Sequence, residues 1–124
     1  MKIAFVMPAI GKKKGERYIR SWQMEPVMIA VLKTLTPAGI ECEFYDDRME
    51  PINFSTDADL IAITVETHTA KRAYAISRRF RDKGKLVVMG GYHPTIMPED
   101  AAPHADSLML GTAEGVWADM LADI

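Results

Sequence analysis

The stretch "DLIAITVETHTAKRAYAISRRFRDKGKLVVMGG", residues 59–91, decides the fold. It starts with an apolar run over 59–65, which is typical of a parallel strand buried on both faces of its sheet. A helical pattern follows over 69–83, and Gly84 is placed to cap it. A second apolar run over 85–89 ends at two glycines, so the segment is predicted to be a strand, a helix and a parallel strand. The inward face of this helix is predicted to carry Ala73, Ile76, Ser77 and Phe80.

The same alternation continues on both sides of this segment. Apolar runs over 2–7, 41–45 and 106–110 predict three further strands. Between the first two, apolar residues at three- and four-residue steps indicate a helix, which Pro37 and Gly39 end. The apolar face of that helix is predicted to consist of Met24, Val27, Met28, Val31, Leu32 and Leu35.

The remaining segments complete the predicted architecture. Residues 46–58, "DDRMEPINFSTDA", are more typical of a loop than of a crossover helix. A short helical turn fits 97–102, and a last helix is predicted over 113–124. Five strands with intervening helices predict an α/β fold, a flavodoxin-like doubly wound five-stranded parallel sheet in the order 2-1-3-4-5.

Composition limits the classes of function that need to be considered. The 124 residues form one domain of ordinary size, with 48% hydrophobic and 26% charged residues. A formal net charge of −2 gives no overall attraction to nucleic acid or to an anionic membrane. A single cysteine, Cys42, excludes an internal disulfide and a multi-cysteine metal site within the chain. We therefore expect a cytoplasmic protein with neither a nucleic acid nor a membrane as partner.

In a doubly wound sheet, ligands bind outside the carboxyl ends of the strands. The loops there lack the glycine patterns of dinucleotide and nucleotide phosphate sites, the carboxylates of a response-regulator receiver and the Ser/Thr-rich loop of a flavodoxin. What remains is a site of backbone and hydroxyl groups. Gly90 and Gly91 leave no Cβ at one strand end, so a bulky ligand can approach the main chain closely. The predicted loops are 8–23, 46–50, 66–70, 90–95 and 111–115.

Four quoted segments carry a resemblance to a known family. They are "KIAFVMP" (2–8), "GIECEFYDD" (39–47), "DLIAITVETHTAKRAYAISRRFRDKGKLVVMGGYHPTIMPEDA" (59–101) and "ADSLMLGTAEGVW" (105–117). Together they resemble the N-terminal cobalamin-binding domain of cobalamin-dependent radical S-adenosylmethionine enzymes, the group of the anaerobic Mg-protoporphyrin monomethyl ester cyclase and the hopanoid methylases. The segment "VVMGGYHPTIMPED" (87–100) is the most specific part of this resemblance.

The resemblance implies a cofactor and a set of residues around it. The corrin of cobalamin would lie over the carboxyl ends of the strands, against the loop 8–23 and the turn 66–69, and its nucleotide tail would run down between the strand ends. No residue is assigned as a metal ligand or as catalytic. The residues implied at the cofactor site are Thr64, Glu66, Thr67, His68, Gly90, Gly91, Tyr92, His93, Pro94, Gly111 and Thr112.

The chain departs from related families in ways that shape the expected function. Residues 8–23 contain no histidine, so that loop supplies no axial ligand to cobalt. The usual Gly-Glu-Gly-Glu after the fifth strand is Gly-Thr-Ala-Glu here, over 111–114. Because Cys42 stands alone, a 4Fe–4S cluster and S-adenosylmethionine are expected only in a C-terminal domain outside this chain. We therefore expect residues 1–124 to be the N-terminal part of a longer radical enzyme, which acts with a radical S-adenosylmethionine domain in cis or in trans.

Two alternative functions stay open at this point. The same fold without a cofactor would be an interaction module that docks a neighbouring domain, and the glycine pair would then be only a tight turn. A small-molecule enzyme that uses Glu66 and His68 would show activity from this chain alone. For His93, followed by a proline, a hydrogen-bonding role within its loop is favoured over metal ligation.

Overall fold

A computed structural model describes residues 1–10 and 26–124 of the chain. The strands are β1 (Lys2–Met7), β2 (Glu41–Asp46), β3 (Leu60–Thr64), β4 (Leu86–Gly90) and β5 (Ser107–Met109). The helices are α1 (Val27–Leu35), α2 (Ala70–Asp82), α3 (Tyr92–Ile96), α4 (Pro98–Ala101) and α5 (Trp117–Ala122). Single 3₁₀ turns cover Thr67–Thr69, Ala102–His104 and Ala113–Gly115.

The strands form one parallel sheet in the order β2-β1-β3-β4-β5, which confirms the predicted fold class. In the register, Thr64 lies opposite Gly90, and Gly90 lies opposite Met109. The last residues of the three strands β3, β4 and β5 therefore lie side by side at one edge. We call this the carboxyl edge of the sheet.

Each face of the sheet carries its own apolar core. On one face, α2 packs on the strands through Ala73, Ile76, Ser77 and Phe80, as the helical pattern predicted. The loop between β2 and β3 covers part of this face with Ile52 and contains no helix, also as predicted. On the other face, α1 and α5 pack over residues of β1, β3, β4 and β5.

The prediction for the apolar face of α1 is partly wrong. Leu32 is buried, but Val27 and Met28 are 63% and 47% exposed, whereas Ile29 is buried in their place. Met24 lies outside the described residues. An apolar stripe at helical spacing does not tell a core-facing side chain from one that borders a cleft, and Met28 borders the cleft described below.

Two elements near the chain end are shorter than predicted. The predicted strand 106–110 contains three paired residues, and the predicted helix 113–124 is divided into a 3₁₀ turn and α5. No helix among the residues 1–10 and 26–124 is long and apolar enough to span a membrane.

Candidate functional site

A narrow groove lies at the carboxyl edge, between the strands on one side and α1 and α5 on the other. Thr64 and Gly90 border its mouth, and Ala62 and Val88 lie two residues further down the same strands. The groove encloses about 50 Å³. Its full lining is Met28, Leu32, Ala62, Ile63, Thr64, Val88, Gly90, Gly91, Met109, Gly111, Ala113 and Trp117.

The two glycines after the apolar run have different structural roles. Gly91 has a φ of 106°, and a Cβ there would lie 3.0 Å from the carbonyl oxygen of Val65 and 3.2 Å from Thr64 Oγ1. The backbone turn itself therefore requires glycine at position 91. Gly90 has no positive φ, and a Cβ there would lie at an ordinary 3.5 Å from Met109. Of these two glycines, Gly90 is the one that the backbone turn does not require, and its missing side chain leaves space in the groove.

Two wider spaces flank the mouth of the groove. One, of about 290 Å³, lies beside the end of β1, with Met7, Pro8 and Ile10 in its lining. The other, of about 360 Å³, lies beside the end of β5 and has Tyr92 in its lining. The side chains of Met28 and Thr64 border the groove and both spaces. The three volumes therefore form one cleft along the carboxyl edge, which Met28 and Thr64 partition.

A single hydroxyl group joins the loops that follow β4 and β5. Thr95 Oγ1 donates a hydrogen bond to the carbonyl oxygen of Gly91 at 2.8 Å. Thr95 Oγ1 also accepts a hydrogen bond from the backbone N–H of Gly111 at 3.0 Å. The two loops that form one rim of the cleft are thus held in a fixed relation.

His93 is held inside the fold through both nitrogens of its ring. Its side chain is buried, with Nε2 2.8 Å from Asp100 Oδ2 and Nδ1 3.2 Å from Thr67 Oγ1. Because an ionised carboxylate only accepts hydrogen bonds, Nε2 donates to Asp100 when Asp100 is ionised, and Nδ1 is in hydrogen-bond contact with the hydroxyl of Thr67. The ring therefore ties α3 to the turn after β3 and to α4, and it does not line the groove or the two spaces.

Tyr74 forms a cluster with His93 and Asp100, in which the pKa values of Asp100 and Tyr74 are shifted. The hydroxyl of Tyr74 donates to Asp100 Oδ2 at 2.6 Å. This hydrogen bond, with the second one from His93, holds the pKa of Asp100 below its ordinary value. Burial, with the hydrogen bond to Asp100, raises the pKa of Tyr74 above its ordinary value. The cluster is thus arranged around an ionised Asp100.

Buried charges fix the loops at the β1 side of the cleft. Asp47, 1% exposed, accepts hydrogen bonds from Arg72 Nε at 2.9 Å and from the backbone N–H of Ala9 at 2.9 Å. It therefore links the loop after β1 to α2. Next to it, Arg48 donates to both carboxylate oxygens of Asp46, at 2.9 and 2.8 Å, and borders the space beside β1.

The predicted residues are distributed over three parts of the cleft. Thr64, Gly90, Gly91 and Gly111 border the groove, Glu66 and His68 border the space beside β1, and Thr112 and Tyr92 border the space beside β5. Thr67, His93 and Pro94 are absent from all three linings; His93 and Pro94 are buried, and Thr67 contacts the ring of His93. Residues 11–23 of the predicted loop 8–23 lie outside the described residues.

Several groove residues were not predicted. Ala62 and Val88 follow from the period of two along a strand once Thr64 and Gly90 are assigned to the groove face. Met109 follows in the same way from the register with Gly90. Trp117 had no comparable signal, because its place depends on how α5 packs against α1.

Comparison with known proteins identifies the family. Residues 23–121 match the family described as B12 binding domain. The bacteriochlorophyllide d C-8(2)-methyltransferase of Chlorobaculum tepidum is 41% identical over 97 residues, which are 77% of this chain and 22% of that protein. The bacteriochlorophyllide d C-12(1)-methyltransferase of the same organism is 36% identical over 102 residues, 80% of this chain and 22% of that protein. The chain thus spans about a fifth of the length of these relatives. Since the family match extends over most of the chain, this protein belongs to the B12-binding domain family.

Proposed function

We propose that this chain binds cobalamin at the carboxyl edge, as the cofactor module of a methyl-transferring enzyme. Its family and the two methyltransferases that resemble it support this proposal. A radical S-adenosylmethionine domain, in cis or in trans, would generate the radical. That domain would also hold the iron–sulfur cluster and S-adenosylmethionine. The reaction of the whole enzyme would be methyl transfer or related radical chemistry on an unactivated carbon.

The observation that carries the proposal is the missing side chain at Gly90. The backbone does not require glycine there, and a Cβ would point into the groove toward Met109. Small residues at the neighbouring positions, Ala62 and Thr64, continue this surface down β3. A groove bordered by small residues at the ends of β3 and β4 fits an extended tail that enters from the carboxyl edge.

The groove fits such a tail only when its methionines move. An apolar cavity of about 150 Å³ accepts a benzene ring, whereas this groove encloses about 50 Å³. Met28 and Met109 border the groove from opposite sides, and methionine is the most adaptable of the apolar side chains. Because Met28 is 47% exposed, it can swing toward solvent at small cost and join the groove to the flanking spaces.

Cobalamin would supply the cobalt-bound methyl group, and the protein would bind and orient it. Residues 8–23 offer no histidine, and both nitrogens of His93 are engaged within the fold, so we propose that neither supplies an axial ligand. The role of the chain is then to hold the tail by apolar contacts and to keep water from that face of the corrin. The loops that Asp47 and Thr95 hold in place would form the seat of the corrin.

Titration of the purified chain with hydroxocobalamin tests the proposal. We expect a shift in the visible spectrum of the corrin and a rise in Tm with cofactor concentration, because a ligand that binds only the folded state stabilises it. Free hydroxocobalamin and an unrelated flavodoxin-like protein serve as controls. The absence of both effects at high micromolar cofactor would refute cobalamin binding by this chain.

A cofactor-free interaction module remains the second candidate. The small volume of the groove, about 50 Å³, favours it, because this is less than a single ring needs before any side chain moves. The same titration separates the two, because an interaction module without a cofactor gives neither a spectral shift nor stabilisation.

A further inference from the structure

The wall and the floor of the groove differ in how firmly they are held. Met28 forms part of the wall and is 47% exposed, whereas Trp117 forms the floor and is 2% exposed. The indole Nε1 of Trp117 donates to Thr36 Oγ1 at 2.9 Å, and that hydroxyl donates to the carbonyl oxygen of Leu32 at 2.7 Å. Two hydrogen bonds thus connect the indole to the end of α1. The side chain of Met28 can therefore move without breaking a hydrogen bond, whereas the indole of Trp117 cannot.

The level of the floor follows from the strand register. Phe5 pairs with Ala62, and the rings of Phe5 and Trp117 have centroids 5.8 Å apart. Trp117 and Ala62 both line the groove, so the indole lies near the level of Ala62, two residues below Thr64 at the mouth. At about 3.3 Å per strand residue, the depth from the mouth to the floor is about 7 Å. A longer group can enter only if Trp117 leaves its place.

From this geometry we infer that Trp117 selects among corrinoids by the size of the lower base at the end of the nucleotide tail. The inference rests on the proposed function. Movement of Met28 makes room for a single ring above the indole. The two fused rings of dimethylbenzimidazole, the base of cobalamin, need the depth that Trp117 occupies. The chain therefore binds a cobamide with a single-ring base, such as the p-cresolyl cobamide, more tightly than it binds cobalamin.

The experiment compares three ligands on the purified chain: hydroxocobalamin, the p-cresolyl cobamide and cobinamide, which lacks the nucleotide. Dissociation constants come from the visible spectrum of the corrin and from quenching of tryptophan fluorescence. We expect the p-cresolyl cobamide to bind about tenfold or more tighter than hydroxocobalamin, the scale on which an apolar pocket rejects a ligand that is too large. We also expect cobinamide to bind more weakly than the p-cresolyl cobamide, because it places nothing in the groove.

Two variants test whether the indole of Trp117 causes the preference for the single-ring base. In Trp117→Phe the smaller ring leaves a deeper groove. The hydroxyl of Thr36 keeps its hydrogen bond to the carbonyl oxygen of Leu32, so no buried hydroxyl loses its acceptor. We expect this variant to reduce the preference to less than about threefold. Phe80→Leu is the matched control, because Phe80 is fully buried in the core on the opposite face of the sheet. It should lower Tm and leave the preference unchanged.

The outcomes separate the two proposals. Binding of all three corrinoids with equal affinity, or an unchanged preference in Trp117→Phe, would overturn the role of Trp117 while leaving corrinoid binding intact. Failure of all three to bind would instead refute the proposed function. If Trp117→Phe does not fold, the preference of the unmodified chain still decides, and Thr36→Val, which keeps the indole and removes its hydrogen bond, should give an intermediate preference.

Discussion

Substitutions at the two adjacent glycines separate a cofactor role from a backbone role. At Gly90, an added Cβ would lie 3.5 Å from Met109, an ordinary contact distance. Replacing glycine by alanine where the backbone permits it stabilises a protein by about 0.4–1 kcal/mol. Gly90→Ala should therefore raise Tm by roughly 2–5 °C. Gly90→Val places further carbons in a groove of about 50 Å³, and we expect it to weaken hydroxocobalamin binding by roughly 10- to 100-fold.

At Gly91, substitution by alanine is expected to destabilise the fold. Its φ of 106° is a conformation that other residues rarely adopt, and a Cβ there would lie 3.0 Å from the carbonyl oxygen of Val65. Such strain costs about 1–3 kcal/mol, so Gly91→Ala should lower Tm by roughly 5–15 °C. Thermal unfolding gives the stability of each variant, and titration followed by the visible spectrum gives its affinity. If Gly90→Val stays folded and binds hydroxocobalamin as tightly as the unmodified chain, the tail does not use this groove.

Two further predictions concern the charged groups behind the cleft. Asp47→Asn should lower the free energy of unfolding by about 2–3 kcal/mol in urea, because Arg72 loses a buried partner but, at 36% exposure, still reaches water; a loss below about 0.5 kcal/mol would contradict this. The lowered pKa of Asp100 stabilises the fold above the ordinary pKa of an aspartate, and that contribution is lost as pH falls through the lowered value. Asp100→Asn should therefore be less stable than the unmodified chain at pH 7, and the difference should shrink below about pH 4; a difference that grows on acidification would show that Tyr74 and His93 do not stabilise the ionised form.

The sheet was predictable because its central strands are buried on both faces. The apolar runs of β1, β3 and β4 have few alternative placements, and α2 has both a clear apolar stripe and a glycine stop. The ends were less predictable. β5 is an edge strand with three paired residues, and its sequence pattern extends beyond its hydrogen bonding. The run over 106–110 shows where the chain is apolar and not where the ladder stops.

The site was predictable only where a strand carries it. Gly90 and Thr64 follow from the rule that ligands lie at the carboxyl ends, and their neighbours follow from the strand period. Arg72 illustrates the limit, because it is not on the predicted inward face of α2, yet in the structure its side chain reaches the buried Asp47. Trp117 illustrates it as well. Contacts between residues far apart in sequence, such as the bond from Trp117 to Thr36, leave no trace in local spacing.

The hydroxyl of Thr95 has a consequence for transplanting this site into another scaffold. Because Thr95 Oγ1 donates to the carbonyl oxygen of Gly91 and accepts from the N–H of Gly111, the segments after β4 and β5 are held together as one unit. Grafting the segment after β5 alone would leave the backbone N–H of Gly111 without the acceptor that Thr95 provides, whereas moving both segments together preserves the bond. A serine would suffice there, and a valine, although similar in shape, would uncouple the halves.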